Sequence, residues 1–280
     1  KSVKHCIHVC FELCYRMIHE VFFTDEHAVK TVNLKKCKNP KQINIANKLL
    51  QAEAKIHTKL AKEDVNNEFI TCIDGTGWKN SLFYLKMEKA NCDLFHLCFE
   101  ESLLFDFQTK LKICFHICKS ILFLHERNIA HLDISLENIF IFEGVPKIGD
   151  FGLSRLIETV RDNRCLQGLI GKMSYMAPEI LNNSKWDPFK ADIFALGVVI
   201  YSILTFTKPF ETAVMTDIHF HYMRKNGLIN LLSNLKCMQN VDKFHLKIIH
   251  NLLNAMFAKE SDRISIQKIR NHNIWKLIKD

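Results

Sequence analysis

Asp133, Asn138 and Asp150 are three oxygen-bearing side chains set on either side of a short apolar stretch. The first two belong to His131-Leu132-Asp133-Ile134-Ser135-Leu136-Glu137-Asn138, and the third heads Asp150-Phe151-Gly152. Between them run Ile139-Phe140-Ile141-Phe142, a turn read at Glu143-Gly144-Val145-Pro146, and Lys147-Ile148-Gly149. Two short apolar runs around a turn predict a hairpin. Folding it back brings Asp150 beside Asn138, so loop oxygens converge on one point. A hard cation such as Mg²⁺ takes that kind of donor set and shares it with phosphates.

The elements that must position this cluster follow from hydrophobic period. His27-Ala28-Val29-Lys30-Thr31-Val32 reads as a strand with Ala28, Lys30 and Val32 on the inward face. A lysine on an apolar face is costly unless partnered. After Pro40, Ile43, Ala46, Leu50, Glu53, His57 and Leu60 fall at three- and four-residue steps, one stripe of one helix. Glu53 is the acid on that stripe, and a Lys30–Glu53 ion pair resolves both costs. Upstream, Cys6, His8, Cys10, Glu12 and Cys14 alternate with Ile7, Val9, Phe11 and Leu13 as a first strand, with Arg16 to Phe23 as the second. The Cys/His face leaves a metal site open, although its spacing fits no zinc motif. Gly75-Thr76-Gly77, between two strand-like runs, reads as a hairpin turn rather than a phosphate loop.

The order and spacing of His131-Leu132-Asp133, Asn138, Asp150-Phe151-Gly152 and Ala177-Pro178-Glu179 resemble the eukaryotic protein kinases, whose template is H-R-D-x-x-x-x-N, D-F-G and A-P-E. The resemblance spans nearly the whole chain. It implies an α+β bilobal fold. Residues 1–90 would form a small β-sheet lobe with one helix, and residues 91–280 a larger, mainly helical lobe, with a hinge near 88–92. It implies ATP and Mg²⁺ as cofactors and a protein serine/threonine kinase activity, since Leu136-Glu137-Asn138 is closer to the Ser/Thr pattern than to the Tyr pattern. Asp133 would be the catalytic base. Lys30, paired with Glu53, would meet the α- and β-phosphates, and Asn138 and Asp150 would hold the metal. Met87 would back the adenine pocket, Glu88 and Ala90 would offer backbone groups to the base, and Asp93 would meet the ribose. Arg263 would pair with Glu179, and Asp192, opening a buried helix from Ala191 to Phe206, would brace the catalytic loop.

Several positions depart from the family. No glycine occurs in the first 34 residues, so the loop expected to cover the phosphates, between Cys10 and Met17, carries only bulky side chains. Ser135 stands where these kinases place a lysine that touches the γ-phosphate, and Lys172 stands where they place a threonine. The cation has moved, and Lys172 is expected to serve the transferring phosphoryl in place of Ser135. Leu132 replaces the arginine that clamps an activation-segment phosphate, and no Ser, Thr or Tyr lies between Val160 and Met173. Receptor and phosphosite are missing together, which predicts activity without phosphorylation there. The residue bias, the His-Leu-Asp and the Gly171-Lys172 ahead of Ser-Tyr-Met-Ala-Pro-Glu resemble the FIKK-type kinases of apicomplexan parasites. The eponymous motif is replaced by Ala28-Val29-Lys30-Thr31.

Composition fits one two-lobed domain. The chain has 280 residues, 48% of them hydrophobic, enough for a sizeable core. The net charge of +8 is scattered apart from Lys35-Lys36-Cys37-Lys38, which reads as solvated surface rather than a nucleic-acid stripe. Eleven cysteines, an odd number, read as thiols. The run from Ala191 to Phe206 is short for a bilayer span. The chain opens on Lys1, leaving room for an upstream segment, and no signal peptide is read. The expected partner is a protein substrate, with no nucleic acid and no membrane span, the catalytic domain being a monomer in the cytoplasm or exported to a host cell. Glu100, Glu101, Asp106 and Glu137 are compatible with basic substrates or with a solvated face. A pseudokinase scaffold is the rival reading, favoured by the absent glycines, Leu132 and Ser135.

Overall fold

Alternation builds the small lobe. In the computed structural model, which describes residues 18–100, 105–157, 165–182, 185–239 and 241–279, Ala28, Lys30 and Val32 are buried and their neighbours only half-buried. This strand, β2 (His27–Val32), pairs antiparallel with β1 (His19–Phe23). Its other edge pairs with β4 (Leu82–Glu88), and β3 (Ile73–Lys79) completes the sheet in the order β1-β2-β4-β3. The expected first strand and the glycine-free loop lie outside the described residues.

The glycine turn is a correction. Gly75-Thr76-Gly77 lies inside β3, and the chain reverses instead at Asn80-Ser81, both at positive φ (50° and 63°). Mirror-image turns of this hand match the twist of a hairpin, and Asn tolerates them. Gly77 is needed for another reason. Tyr84 faces it across the ladder, and a Cβ on Gly77 would stand 2.5 Å from the Tyr84 hydroxyl oxygen.

Helix α1 (Pro40–Glu63) starts where Asn39 accepts a bond from the Gln42 N–H, with Pro40 in the first turn. Its predicted stripe is buried from Ala46 through Leu50, Glu53 and His57 to Leu60, while Ile43 is only half-buried. Leu50 and Ala54 pack on Phe83 and Leu85 to form a small separate core.

The second, larger core surrounds α2 (Phe107–Glu126) and α3 (Pro188–Thr205). Helix α3 is long and apolar enough to cross a membrane by composition, but it is buried almost throughout as the centre of this core. It begins earlier than expected. Asp187 caps it by accepting from the Phe189 and Lys190 N–H groups, which places Asp192 within the helix rather than at its head. The hairpin between Asn138 and Asp150 forms from β5 (Ile139–Phe142) and β6 (Val145–Ile148). Its turn is two residues shorter than read: Glu143 and Gly144 alone carry it, at φ 47° and 84°, and Val145-Pro146 already belong to the strand.

Arg263 is buried in the larger lobe with its side chain fully covered. Its guanidinium donates to both oxygens of Glu179, at 2.5 and 3.1 Å, and to the carbonyls of Ala258 and Lys190. The expected pair is therefore made, in the two-pronged geometry arginine favours. Removing one partner strands the other charge, so Arg263→Met is expected to lower unfolding free energy by about 3–5 kcal/mol in urea titration.

Candidate active site

Lys30 meets two acids from distant parts of the chain. Its Nζ lies 2.8 Å from both oxygens of Glu53 and 2.9 Å from Oδ1 of Asp150. Lys30 and Glu53 are 7% and 2% exposed, so neither charge could stand there alone. Burial acts to lower the Lys30 pKa, but Asp150 and Glu53 outweigh it and hold the ammonium above the usual lysine range. Burial likewise acts to raise the Asp150 carboxyl, and Lys30 drives it well below the usual carboxylate range. Asp150 sits at φ 58°, in the left-handed region, where its carboxylate also accepts from the Gly152 N–H.

The loop carrying Asp133 is held from beneath. Asp192 accepts from the backbone N–H groups of His131 and Leu132, both at 2.8 Å, and its carboxylate lies 2.9 Å from Nε2 of His125. Leu132 adopts φ 65° and is buried, so this position presents no cation toward the activation segment. Asn138 donates from Nδ2 to the Asp133 carbonyl at 2.8 Å and to its Oδ2 at 2.7 Å. That leaves the Asn138 amide oxygen and Oδ2 of Asp150 as hard oxygen donors, a set that fits Mg²⁺.

Phe151 meets two histidines. His131 lies 5.3 Å away edge-on, with its Nε2 3.1 Å from the Gly149 carbonyl oxygen. His57, one turn beyond Glu53, lies 4.7 Å away with its ring tilted. Its Nε2 is 2.7 Å from the Thr71 carbonyl oxygen. The helical period placed His57 in the core stripe, but nothing local in sequence disclosed that its ring packs on Phe151.

A cavity of about 420 Å³ opens beside Lys30, and Met87, Ala90 and Asp93 are among the residues that line it. Two expectations are refined. The Glu88 N–H donates to the Cys72 carbonyl, and the Glu88 side chain takes the Cys72 N–H and the Lys147 ammonium. Glu88 is thus not a free donor for a base. The Asp93 carboxylate accepts the His96 N–H at 2.8 Å, which fixes it at the mouth of the cavity. Phe140 also lines the cavity and escaped the sequence reading, although the Ile-Phe-Ile-Phe alternation carried the signal. Its ring takes the space beside Gly149, where an added Cβ would lie 2.8 Å from the ring edge.

Lys172 and Ser135 come together in the structure. Its Nζ donates to Ser135 Oγ at 2.6 Å and stands 3.3 Å from Oε2 of Glu137. The Tyr175 hydroxyl donates to the same Glu137 oxygen at 3.2 Å. Burial would raise the Glu137 pKa, but Lys172 and these bonds leave it lowered. The other acids considered for substrate contact are also engaged: Glu100 with His96, and Asp106 as the cap of α2. Glu101 lies outside the described residues.

A family profile described as the protein kinase domain matches residues 16–275. Among curated proteins, a "Probable serine/threonine-protein kinase PLK" of Dictyostelium discoideum is 30% identical over 214 residues, covering 76% of this chain and 20% of its own length. A Wee1-like protein kinase of Oryza sativa subsp. japonica is 43% identical over 98 residues, 35% of this chain and 18% of its own length. CBL-interacting protein kinase 25 of the same plant is 39% identical over 95 residues, 34% of this chain and 18% of its own length. The chain spans no more than 20% of these relatives.

The buried His57 predicts an acid-side weakness. Burial is the main cause of its pKa falling from 6.5 to about 4, so the folded state keeps the ring neutral where the unfolded chain would bind a proton. Its stabilising share is complete above the unfolded value and is lost as pH falls from 6.5 toward 4. Unfolding free energies measured at pH 8 and pH 5 are expected to fall by about 2 kcal/mol less in His57→Leu than in the parent.

Proposed function

The chain belongs to the protein kinase family, and from that membership we propose that it transfers the γ-phosphoryl group of Mg–ATP to serine or threonine hydroxyls of proteins. The observation that carries the reading is Lys30 bonded at once to Glu53 and Asp150, together with an Asp133 fixed by Asn138. A purely structural lysine needs one acid; this one joins a helix of the small lobe to the loop that carries the proposed metal ligand.

In this reading Lys30 steadies the α- and β-phosphates, and Asn138 and Asp150 hold Mg²⁺, which when bound neutralises charge on the phosphates. Asp133 orients the attacking hydroxyl and takes its proton. Met87, Ala90 and the Glu88 carbonyl face the base, and Asp93 the ribose. Lys172, seated on Ser135, supplies the cation that Ser135 cannot. The partner is a protein substrate, the catalytic unit is a monomer, and neither nucleic acid nor a membrane span takes part. Leu132 gives the activation segment no phosphate clamp, so activity does not wait on phosphorylation of its middle.

A nucleotide-binding scaffold without transfer is the second reading, favoured by Leu132 and Ser135. An assay with Mg–ATP and a mixed Ser/Thr peptide library separates the two. Transfer is expected, lost by about 10²-fold or more in Asp133→Asn and unaffected by prior phosphatase treatment. Nucleotide binding without transfer selects the scaffold. Lys172→Met is expected to lower kcat by about 10²-fold with nucleotide affinity preserved; an unchanged kcat removes Lys172 from the mechanism.

A further inference from the structure

Lys172 sits between two claims. On one side is Glu137, whose carboxylate is 3.3 Å from its Nζ. On the other is the chemistry at Asp133, two residues before the Ser135 hydroxyl that Nζ touches at 2.6 Å. The backbone ahead of it is pinned. Gly171 has φ 94°, and a Cβ there would stand 2.8 Å from the Leu132 carbonyl oxygen. Only glycine lets this segment press against the catalytic loop, so Lys172 starts from a fixed root and its long stem does the reaching.

The second claim follows from charge. A phosphoryl group in transfer gathers negative charge that must meet cations. Lys30 is engaged by Glu53 and Asp150 on the nucleotide side. Among the described residues lining the small cavity against Asp133, Lys172 is the one cation. Yet in this arrangement Glu137 neutralises it. The Glu137 side chain is 36% exposed and that of Lys172 is 21% exposed, so a cation arriving from solvent can reach the same carboxylate.

We propose that Glu137 holds Lys172 in reserve and that a basic residue of the substrate displaces it onto the transferring phosphoryl group. This rests on the reading of the chain as an active kinase. Arginine engages a carboxylate through two parallel bonds, which the single ammonium of a lysine does not match, so the exchange at Glu137 favours the substrate. The freed ammonium turns about its stem with no backbone movement. The transfer itself is unchanged in its balance. The hydroxyl oxygen bonds to the γ-phosphorus, the bond to the β–γ bridging oxygen breaks, ADP leaves, and the hydroxyl proton passes to Asp133. Lys172 contributes charge only. Glu137 is a positioning residue. Binding of the basic residue is thereby directed to the transition state, and its benefit falls on kcat rather than on KM alone.

The test uses paired peptides identical but for one arginine or glutamine, walked through the positions flanking the acceptor hydroxyl, with Mg–ATP. Parent, Glu137→Gln and Lys172→Met are compared, with nucleotide affinity and Tm as controls of folding. In the parent, the best-placed arginine is expected to raise kcat by about tenfold. In Glu137→Gln the neutral peptide reaches that higher kcat, and the arginine advantage disappears. In Lys172→Met kcat is low for both peptides, while arginine still lowers KM because Glu137 no longer faces a competing cation. An arginine effect confined to KM in the parent overturns the proposal, as does a Glu137→Gln variant that folds but slows the neutral peptide. Should that variant not fold, added salt weakens the half-exposed pair in the parent and must raise kcat on the neutral peptide; a fall overturns the proposal. A parent that transfers to no peptide refutes the kinase reading itself, whereas a parent that transfers with a KM effect alone leaves that reading standing.

Discussion

A buried ammonium is the constraint from which the rest of this structure follows. Lys30 stands on the apolar face of a strand, where an isolated charge is prohibitively unstable. Its survival requires Glu53, delivered by one turn of α1, and Asp150, delivered by the end of a hairpin in the other lobe. Those two demands fix the rotation of the helix against the sheet and the closure of the hairpin. They also explain why Asp150 accepts a left-handed backbone: the carboxylate must point back toward the lysine while its chain continues into Phe151. Such a pair contributes modestly to stability, but losing either acid would strand the other charges.

Packing transmits that constraint. Phe151 follows Asp150 directly, and its ring touches both His57 of α1 and His131 of the loop that carries Asp133. His131 also contacts the Gly149 carbonyl, and its own backbone hangs from Asp192 on α3. A displacement of α1 therefore moves Glu53 and His57 together, and with them the support of both Asp150 and the loop that holds Asp133. The ion pair and the ring contacts form one mechanical unit, not two independent contacts.

Much of this was legible because it obeys period. The inward face of β2, the stripe of α1 and the hairpin between Asn138 and Asp150 all follow from repeats of 2 and 3.6 residues. The Lys30–Glu53 pair could be inferred without coordinates because each residue was the misfit on its own apolar face. What escaped was cross-strand or cross-element. Gly77 is glycine because of Tyr84 across the ladder, and Gly149 because of Phe140 across the hairpin. Neither neighbour is local in sequence, so the Gly75–Gly77 pair was read as a turn while Asn80-Ser81 made the real one. The start of α3 lies ahead of the expected Ala191 for a related reason. The apolar run begins at Ala191, but Asp187-Pro188 already starts the helix, and the half-buried Phe189 and Lys190 of its first turn hide the boundary.

The meeting of Phe140 with Gly149 bears on which compounds could occupy this cavity. With no side chain at Gly149, the Phe140 ring closes into the space a Cβ would take, and Phe140 gives the cavity lining an aromatic surface. A flat heteroaromatic inhibitor gains a stacking partner on that surface, worth about 0.5–1.5 kcal/mol beyond the area it covers. A scaffold that branches downward, toward the residue ahead of Asp150, meets the same ring as an obstacle. Binding at this cavity would then come from planarity rather than from reach.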